Sequence, residues 1–333
     1  MNSNTMQALM LEQYNAPFTL RTLPRPSAKA NQLLVRIHAS GINPLDTKIR
    51  GGAASHAHTT LPAILGMDVA GTVEAIGDEV TGFNIGDAVY GMVGGIGGIP
   101  GSMAEFGAFD ADLLAKIPVK LGMREAAALP LIFITAWEGL VDRANVSSGQ
   151  KVLIHGGAGG VGHIAIQIAI ARGAQVYATG SAEQKEYIES LGATAIDYRR
   201  MTVAQYVEQY THGEGFDIVY DTVGGSTLDA SFAAAKAYVG HVVSCLGWGV
   251  HSLAPLSFRA ATYSGVFTLM PLLSGKGRAH HGAIMREATM LAGQGKLQVR
   301  LDPRRFTFNN ATDAHLAIES RTATGKIVLD IAV

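Results

Sequence analysis

Val152-Leu153-Ile154-His155-Gly156-Gly157-Ala158-Gly159-Gly160-Val161-Gly162 passes from an apolar run into five glycines within seven positions. Beyond it, Val161, Ile164, Ala165, Ile168 and Ala169 recur at helical spacing. The order is strand, glycine turn, helix. Gly157, Gly159 and Gly162 satisfy the G-x-G-x-x-G pattern, in which glycines permit a tight turn, let backbone N–H groups approach a pyrophosphate, and allow close packing of helix on strand. In this context the motif predicts a dinucleotide-binding βαβ unit; a glycine-rich turn without ligand is the alternative.

Downstream, strand patterns at 175–179, 195–198, 217–221 and 241–245 follow the first at 152–155, with helical segments between them. Such alternation implies right-handed crossovers and a doubly wound parallel sheet. The fold class is therefore α/β, with a Rossmann-type domain over 125–262. That domain opens with a predicted helix over 125–141, which places Leu129, Phe133, Trp137 and Leu140 on one face. Residues 1–124 read as β-rich, with strands at 32–38 and 68–76. The tail holds a segment at 263–269, a helix over roughly 280–292 and a strand at 326–331, too little to build a core alone. It is expected either to finish the parallel sheet or to return to the first part. The assigned division is 1–124 with 263–333, and 125–262.

The chain has 333 residues, 48% hydrophobic and 16% charged, with a net charge of -1 and 40 glycines. This suits a two-domain α/β enzyme. The near-neutral balance offers no basic stripe for nucleic acid or for an anionic membrane, so small molecules are the expected partners. Cys245 is the only cysteine and has no internal disulfide partner, which fits a reducing compartment, with the cytoplasm as default. Residues 1–7 lack the charged and apolar blocks of a signal peptide. The most apolar run, 126–134, is interrupted by Pro130 and is far shorter than the ~20 residues that span a bilayer.

Cofactor choice is read at the end of the second strand of the βαβ unit, where a carboxylate about 20 residues beyond the glycines would bind ribose hydroxyls. Here the chain reads Thr179-Gly180-Ser181, with Lys185 four residues further on as a cation for a 2′-phosphate. NADP(H) is the expected cofactor, and Glu183 is the dissenting residue.

Several further blocks carry a resemblance. They are Ala39-Ser40-Gly41-Ile42-Asn43-Pro44-Leu45-Asp46-Thr47-Lys48-Ile49-Arg50; Gly77, Val80, Phe83, Gly86 and Asp87 within 71–90; Ala128-Leu129-Pro130 through Thr135-Ala136-Trp137; and Gly325-Lys326-Ile327-Val328. Together with the glycine turn, these resemble the medium-chain dehydrogenase/reductase superfamily, specifically its zinc-free quinone oxidoreductase branch, over essentially the whole chain. The resemblance implies a GroES-like β-rich barrel domain beside the Rossmann domain, and a homodimer. It implies that Thr135 lies near the nicotinamide and that Gly159, Gly160 and Val161 meet the pyrophosphate. It further implies that Ser181, Lys185 and Tyr198 hold the 2′-phosphate, and that Val223, Leu246 and Gly247 line the nicotinamide pocket.

Zinc-dependent relatives place Cys where Asn43 stands, His-Glu where Met67-Asp68 stands, and a four-cysteine lobe near 91–103. None of these ligands is present, so no metal is expected. The segment 91–98 is expected to be a mobile loop. Where the branch often carries Tyr, this chain has Lys48; Asn43 and Lys48 are the candidate catalytic residues, set to polarise a substrate oxygen or donate a proton. His280-His281 is expected at a surface helix start, and Cys245 and His155 as packed core residues. The function expected is NADPH-dependent hydride transfer to a quinone or α,β-unsaturated carbonyl without zinc. An enoyl-thioester reductase or alcohol dehydrogenase of the same fold is the near alternative, and a non-catalytic NADPH-binding sensor or RNA-associated protein the distant one.

Overall fold

The structure is a computed structural model and describes residues 4–331. It divides into two compact units: the residues up to Leu131 with those from Leu269 onward, and Ile132–Thr268.

The first unit begins with β1 (Thr5–Leu11), which pairs antiparallel with β2 (Thr19–Pro24). Next come β3 (Gln32–Ile42), the short helix α1 (Pro44–Arg50) and β4 (Ala63–Ile64), the last pairing with β1. They are followed by β5 (Asp68–Ile76), β6 (Ala88–Met92), β7 (Phe106–Asp110) and β8 (Leu114–Lys116). β3 is the spine, because its 11 residues pair with β5 along most of their length and with β7 near their start. Two register shifts against β5, at Leu34/Val35 and Ile37/Ala39, mark irregularities of the kind that bend a sheet. α2 (Met123–Ala128) and α3 (Pro130–Trp137) lead out of this part.

The predicted single helix over 125–141 is therefore two helices followed by a π-helical turn, Glu138–Arg143. Pro130 has no N–H to donate and its ring excludes the preceding turn, so it begins a new helix.

The second unit continues with β9 (Lys151–His155), α4 (Gly160–Ala171), β10 (Gln175–Gly180), α5 (Lys185–Ser190), β11 (Thr194–Asp197) and α6 (Val203–Thr211). β12 (Ile218–Asp221), α7 (Ser226–Ala234), β13 (His241–Ser244), α8 (Ala254–Ser257) and β14 (Thr262–Gly265) complete it. All neighbouring strands are parallel, in the order β11-β10-β9-β12-β13-β14. This is the doubly wound order, and β9, which carries the glycine turn, sits at the switch point. Its near-continuous burial reflects a sheet covered on both faces.

The chain then returns to the first unit through α9 (Met270–Ser274), α10 (Arg278–Gly293), α11 (Ala311–Glu319) and β15 (Ile327–Asp330). β15 pairs antiparallel with the end of β3, residues Ala39 to Ile42. The Tyr90 hydroxyl of β6 donates to the Met285 carbonyl of α10 at 3.1 Å.

The structural boundaries differ from 124/125 and 262/263 for identifiable reasons. A Cβ on Gly41 would meet the Ala127 carbonyl oxygen at 2.0 Å, so α2 rests its backbone directly on β3 and belongs with it. β14 pairs with β13, so 263–268 belong with the parallel sheet. Two further expectations need correction. Val93 and Ile96 are buried and Gly97 N–H donates to the Ala57 carbonyl at 2.9 Å, so 91–98 is a packed loop. His281 is fully buried, because α10 begins at Arg278 and turns that position inward.

One core histidine makes stability depend on pH. His315 of α11 is buried, stands edge-on to Phe18 at 5.0 Å, and neither ring nitrogen has a hydrogen-bond partner among the described residues. Burial, helped by the charge of Arg50, pushes its imidazole down to about 3. A histidine depressed in the folded state contributes stability that is present above its unfolded value, about 6.5, and lost as pH falls toward the folded one. His315→Leu should therefore gain about 2 kcal/mol over wild type between pH 8 and pH 5. Urea melts of both proteins at the two pH values check this, and an identical gap at both would refute it.

Candidate active site

At the end of β9 the backbone turns through Gly156, whose φ of +74° is left-handed. Gly157 N–H donates to the Thr179 carbonyl at 2.9 Å and Gly159 N–H to the Gly156 carbonyl at 2.9 Å. A Cβ on Gly157 would lie 2.7 Å from that of Ala178, and a Cβ on Gly162 would lie 2.1 Å from the Gly156 oxygen. Both positions are closed to any side chain. Gly159 caps α4 without a side-chain hydrogen bond and, with Gly160, is exposed. The first-turn N–H groups of Gly160, Val161 and Gly162 thus lack intrahelical acceptors and form a cradle for an anion. The left-handed residue, Gly156, stands outside the triplet that the sequence pattern singles out.

Beyond β10, Ser181 opens a tight turn, its N–H donating to Gln184 Oε1 at 3.0 Å. Lys185 is exposed and 3.7 Å from Glu189. Tyr198, just past β11, is also exposed, with the Arg199 guanidinium 5.7 Å from its ring centre. Arg199 lies 4.0 Å from Glu183. A hydrogen bond from Ser181, then a backbone one, then the charge of Arg199 hold the Glu183 carboxyl below its usual range. Arg199 was not among the sequence candidates; its place next to Tyr198 at a strand end was the available signal.

At the ends of β12 and β13 one carboxylate organises both loops. Asp221 is fully buried and accepts from Val223 N–H at 3.0 Å, Gly224 N–H at 2.9 Å and the Ser244 hydroxyl at 2.7 Å. Ser244 Oγ in turn accepts from Leu246 N–H at 3.0 Å. Gly224 needs its left-handed φ of +80°, and a Cβ on Gly247 would strike the Tyr263 hydroxyl at 2.3 Å. Val223 and Gly247 are exposed and Leu246 partly so. Thr135 is buried, its carbonyl accepting from the Tyr220 hydroxyl at 2.7 Å and its own hydroxyl 3.1 Å from that of Thr268. Burial pushes the Cys245 thiol up to about 12 and the His155 imidazole down to about 4, so neither is a thiolate nor an imidazolium near neutrality.

In the first unit, Asn43 caps α1 and is completely buried. Its Nδ2 donates to Asp68 Oδ2 at 2.8 Å, and its Oδ1 accepts from Lys326 Nζ. Lys326 also donates to the Ile42 carbonyl at 3.1 Å, and Asp68 Oδ1 accepts Leu131 N–H at 2.9 Å. Asp46 Oδ2 accepts Asn43 N–H at 2.8 Å. Burial pushes the Asp46 carboxyl up to about 7 and that of Asp68 to about 6, and lowers the Lys326 ammonium from its usual range. Lys48, on the same helix, is exposed. The structure therefore does not bring Asn43 and Lys48 to a common surface, and both ends of the Asn43 amide are already engaged.

The same cluster tests a metal. Zinc requires three or four convergent N, S or O ligands. Asn43 Oδ1 faces an ammonium, the Asp68 oxygens accept from Asn43 Nδ2 and Leu131 N–H, Met67 is buried beside Asp68, and no group of three or more His, Cys, Asp or Glu side chains is placed to hold a metal among the described residues. The residues do not fit zinc. Among the described residues no helix is long and apolar enough to cross a membrane.

Two family models match: the alcohol dehydrogenase GroES-like domain over residues 29–119, and the zinc-binding dehydrogenase model over 191–329. The chain is 33% identical to the NADPH-dependent alkenal/one oxidoreductase, chloroplastic, of Arabidopsis thaliana, over 91% of this chain and 73% of that protein. It is 28% identical to human quinone oxidoreductase, over 97% of each. A solved alcohol dehydrogenase superfamily protein from Novosphingobium aromaticivorans superposes with a TM-score of 0.96 at 57% identity, covering 98% of this chain and 100% of that one. With the glycine turn at a switch point, the β-rich first unit and these similarities, the chain belongs to the medium-chain dehydrogenase/reductase superfamily, in its quinone oxidoreductase-like branch.

Proposed function

We propose that this oxidoreductase transfers a hydride from NADPH to a quinone or α,β-unsaturated carbonyl compound, without zinc. The observation that carries the reading is the uncapped, exposed start of α4 behind a turn that admits no side chains. Bound NADPH would supply the hydride from its nicotinamide ring.

The N–H groups of Gly160, Val161 and Gly162 donate to the pyrophosphate, with Gly157 and Gly159 leaving the approach open. Ser181, Lys185 and Tyr198 take the 2′-phosphate together with Arg199, whose guanidinium is released from Glu183 to do so. Val223, Leu246 and Gly247, braced by Asp221, and Thr135, braced by Tyr220, line the nicotinamide. Lys48 is the exposed cation that stabilises charge on the substrate oxygen and donates a proton to it. Asn43 acts from beneath, as the cap of α1. The names of the relatives, alkenal/one and quinone oxidoreductases, support the acceptor class. Zinc would be dispensed with because Asn43 Oδ1 accepts from Lys326 and the two Asp68 oxygens accept from Asn43 Nδ2 and Leu131 N–H.

A homodimer in the cytoplasm completes the reading. β14 is the terminal strand of the parallel sheet, and Tyr238, Val250 and Phe258 of the same unit are largely exposed, which supports pairing of two copies along that edge.

The test is oxidation of NADPH and NADH against a panel of quinones, enones and enoyl thioesters, on protein whose mass in solution is read by sedimentation. NADPH should be preferred, a quinone or enone should turn over, and the mass should be about twice the 34.9 kDa chain. Arg199→Ala should weaken NADPH about tenfold, the worth of a charge-assisted hydrogen bond, and leave NADH unchanged. A clear preference for NADH would overturn the roles of Ser181, Lys185, Tyr198 and Arg199.

A further inference from the structure

Beneath α1 lies a cluster of charges that the hydride transfer itself does not use. Asn43, Asp46 and Asp68 have no exposed surface and Lys326 is 7% exposed. They come from the cap and first turn of α1, the first residue of β5, and the residue before β15. Burying an ammonium and two carboxylates costs several kcal/mol per ion, and apolar side chains of similar volume would often be at least as stable. Stability is therefore a poor explanation for the cluster. Orientation is a better one. The ammonium on Asn43 Oδ1 dictates that Nδ2 faces Asp68, while Asp46 Oδ2 ties the Asn43 N–H to the first helical turn.

α1 needs such a clamp. It has only 7 residues, well below the ~12 at which an isolated helix begins to hold in water. Its other end is fixed by Arg50, whose Nη2 donates to both oxygens of Glu319 at 2.9 and 3.0 Å. Lys48 lies between the two anchors.

We propose that Lys326 is a positioning residue for the reduction: an internal cation that clamps the start of α1 through Asn43 and thereby sets where the Lys48 ammonium is presented to the substrate oxygen. The proposal rests on the assignment of Lys48 above. It adds that the cation at the root of this helix comes from the chain itself, 283 residues beyond Asn43 in sequence.

The test uses the full chain with Lys326→Met/Asp68→Asn, which removes one charge of each sign; the Asp46 carboxyl that stays behind, pushed up to about 7 by burial, takes up a proton rather than remain a lone buried ion. Amide exchange over 44–50 reads the clamp, and steady-state kinetics with the accepted quinone or enone read its consequence. Expected are exchange at least tenfold faster in that segment, kcat down about tenfold, and NADPH affinity within twofold of wild type. Because the effect runs through Lys48, the same pair of changes placed on Lys48→Ala should lower kcat no further. Asp46→Asn, which loosens the first turn while leaving the ammonium in place, should give a smaller version of the same pattern. Unchanged exchange refutes the clamp; faster exchange with unchanged kcat, or with losses that add to those of Lys48→Ala, refutes the positioning role. If the wild type turns over no acceptor, the functional reading falls instead, and exchange still decides the clamp.

Discussion

Gly162→Ala should reduce NADPH affinity by about 100-fold or more while leaving the protein folded. The added methyl would stand 2.1 Å from the Gly156 carbonyl oxygen, 2.8 Å from its carbon and 3.0 Å from Gly157 Cα. All three are backbone atoms, so no rotamer change relieves the contact. The start of α4 must retreat by more than an ångström, carrying the N–H groups of Gly160 and Val161 away from where the turn aims them. Each charge-assisted hydrogen bond to a phosphate is worth about 1.5–3 kcal/mol, so misplacing two costs at least two powers of ten. Gly293→Ala is the control, since that glycine has no atom within 4 Å of an added Cβ and should bind like wild type. Titration of NADPH by fluorescence decides, and undiminished binding by folded Gly162→Ala would mean the pyrophosphate lies elsewhere.

That prediction draws on the part of the molecule most legible in the sequence. A strand, a turn and a helix within 20 residues interact locally, so the spacing of Val152, the glycines and Ile164 carries nearly all the information. The parallel sheet follows from repetition of that unit. What the sequence hid was contact at long range and in short elements. Asn43 looked like a group free to meet substrate, because nothing near it announces that Lys326 and Asp68 will take both ends of its amide. β14 is short and exposed, so neither period nor burial marked it as the last strand of the sheet. Gly41 gave no hint that α2 would rest on β3, since close approach of two backbones leaves no side-chain signature. The break at Pro130 is visible in the sequence, but the alanine-rich run around it favours one continuous helix over the two that form. Arg199 carries no signal of its own in the sequence, because exposed arginines are common, and only the convergence with Ser181, Tyr198 and Glu183 distinguishes it.

Asp221→Ala should cost about 3–5 kcal/mol of stability, the sum expected when two or more buried donors lose their shared acceptor at about 1–3 kcal/mol each. The side chain is fully buried and serves the N–H groups of Val223 and Gly224 and the hydroxyl of Ser244. Alanine leaves those donors facing a cavity, and an unmet buried donor costs about 1–3 kcal/mol. A loss of that size lowers Tm by on the order of 10 °C in a domain of this kind. Asp221→Asn separates shape from acceptor capacity: it fills the space, yet one carboxylate oxygen becomes an NH2 that must face a donor. It should fall between wild type and alanine. The consequence for function is local, because the loops released are those carrying Val223, Leu246 and Gly247. At a temperature where Asp221→Asn is still folded, its KM for NADPH should rise several-fold, ahead of any change in KM for the acceptor. Thermal melts and kinetics of the two variants check both halves. If Asp221→Ala melted within about 2 °C of wild type, less than 1 kcal/mol would be at stake, and the bracing of the two loops would have to come from their own backbone contacts.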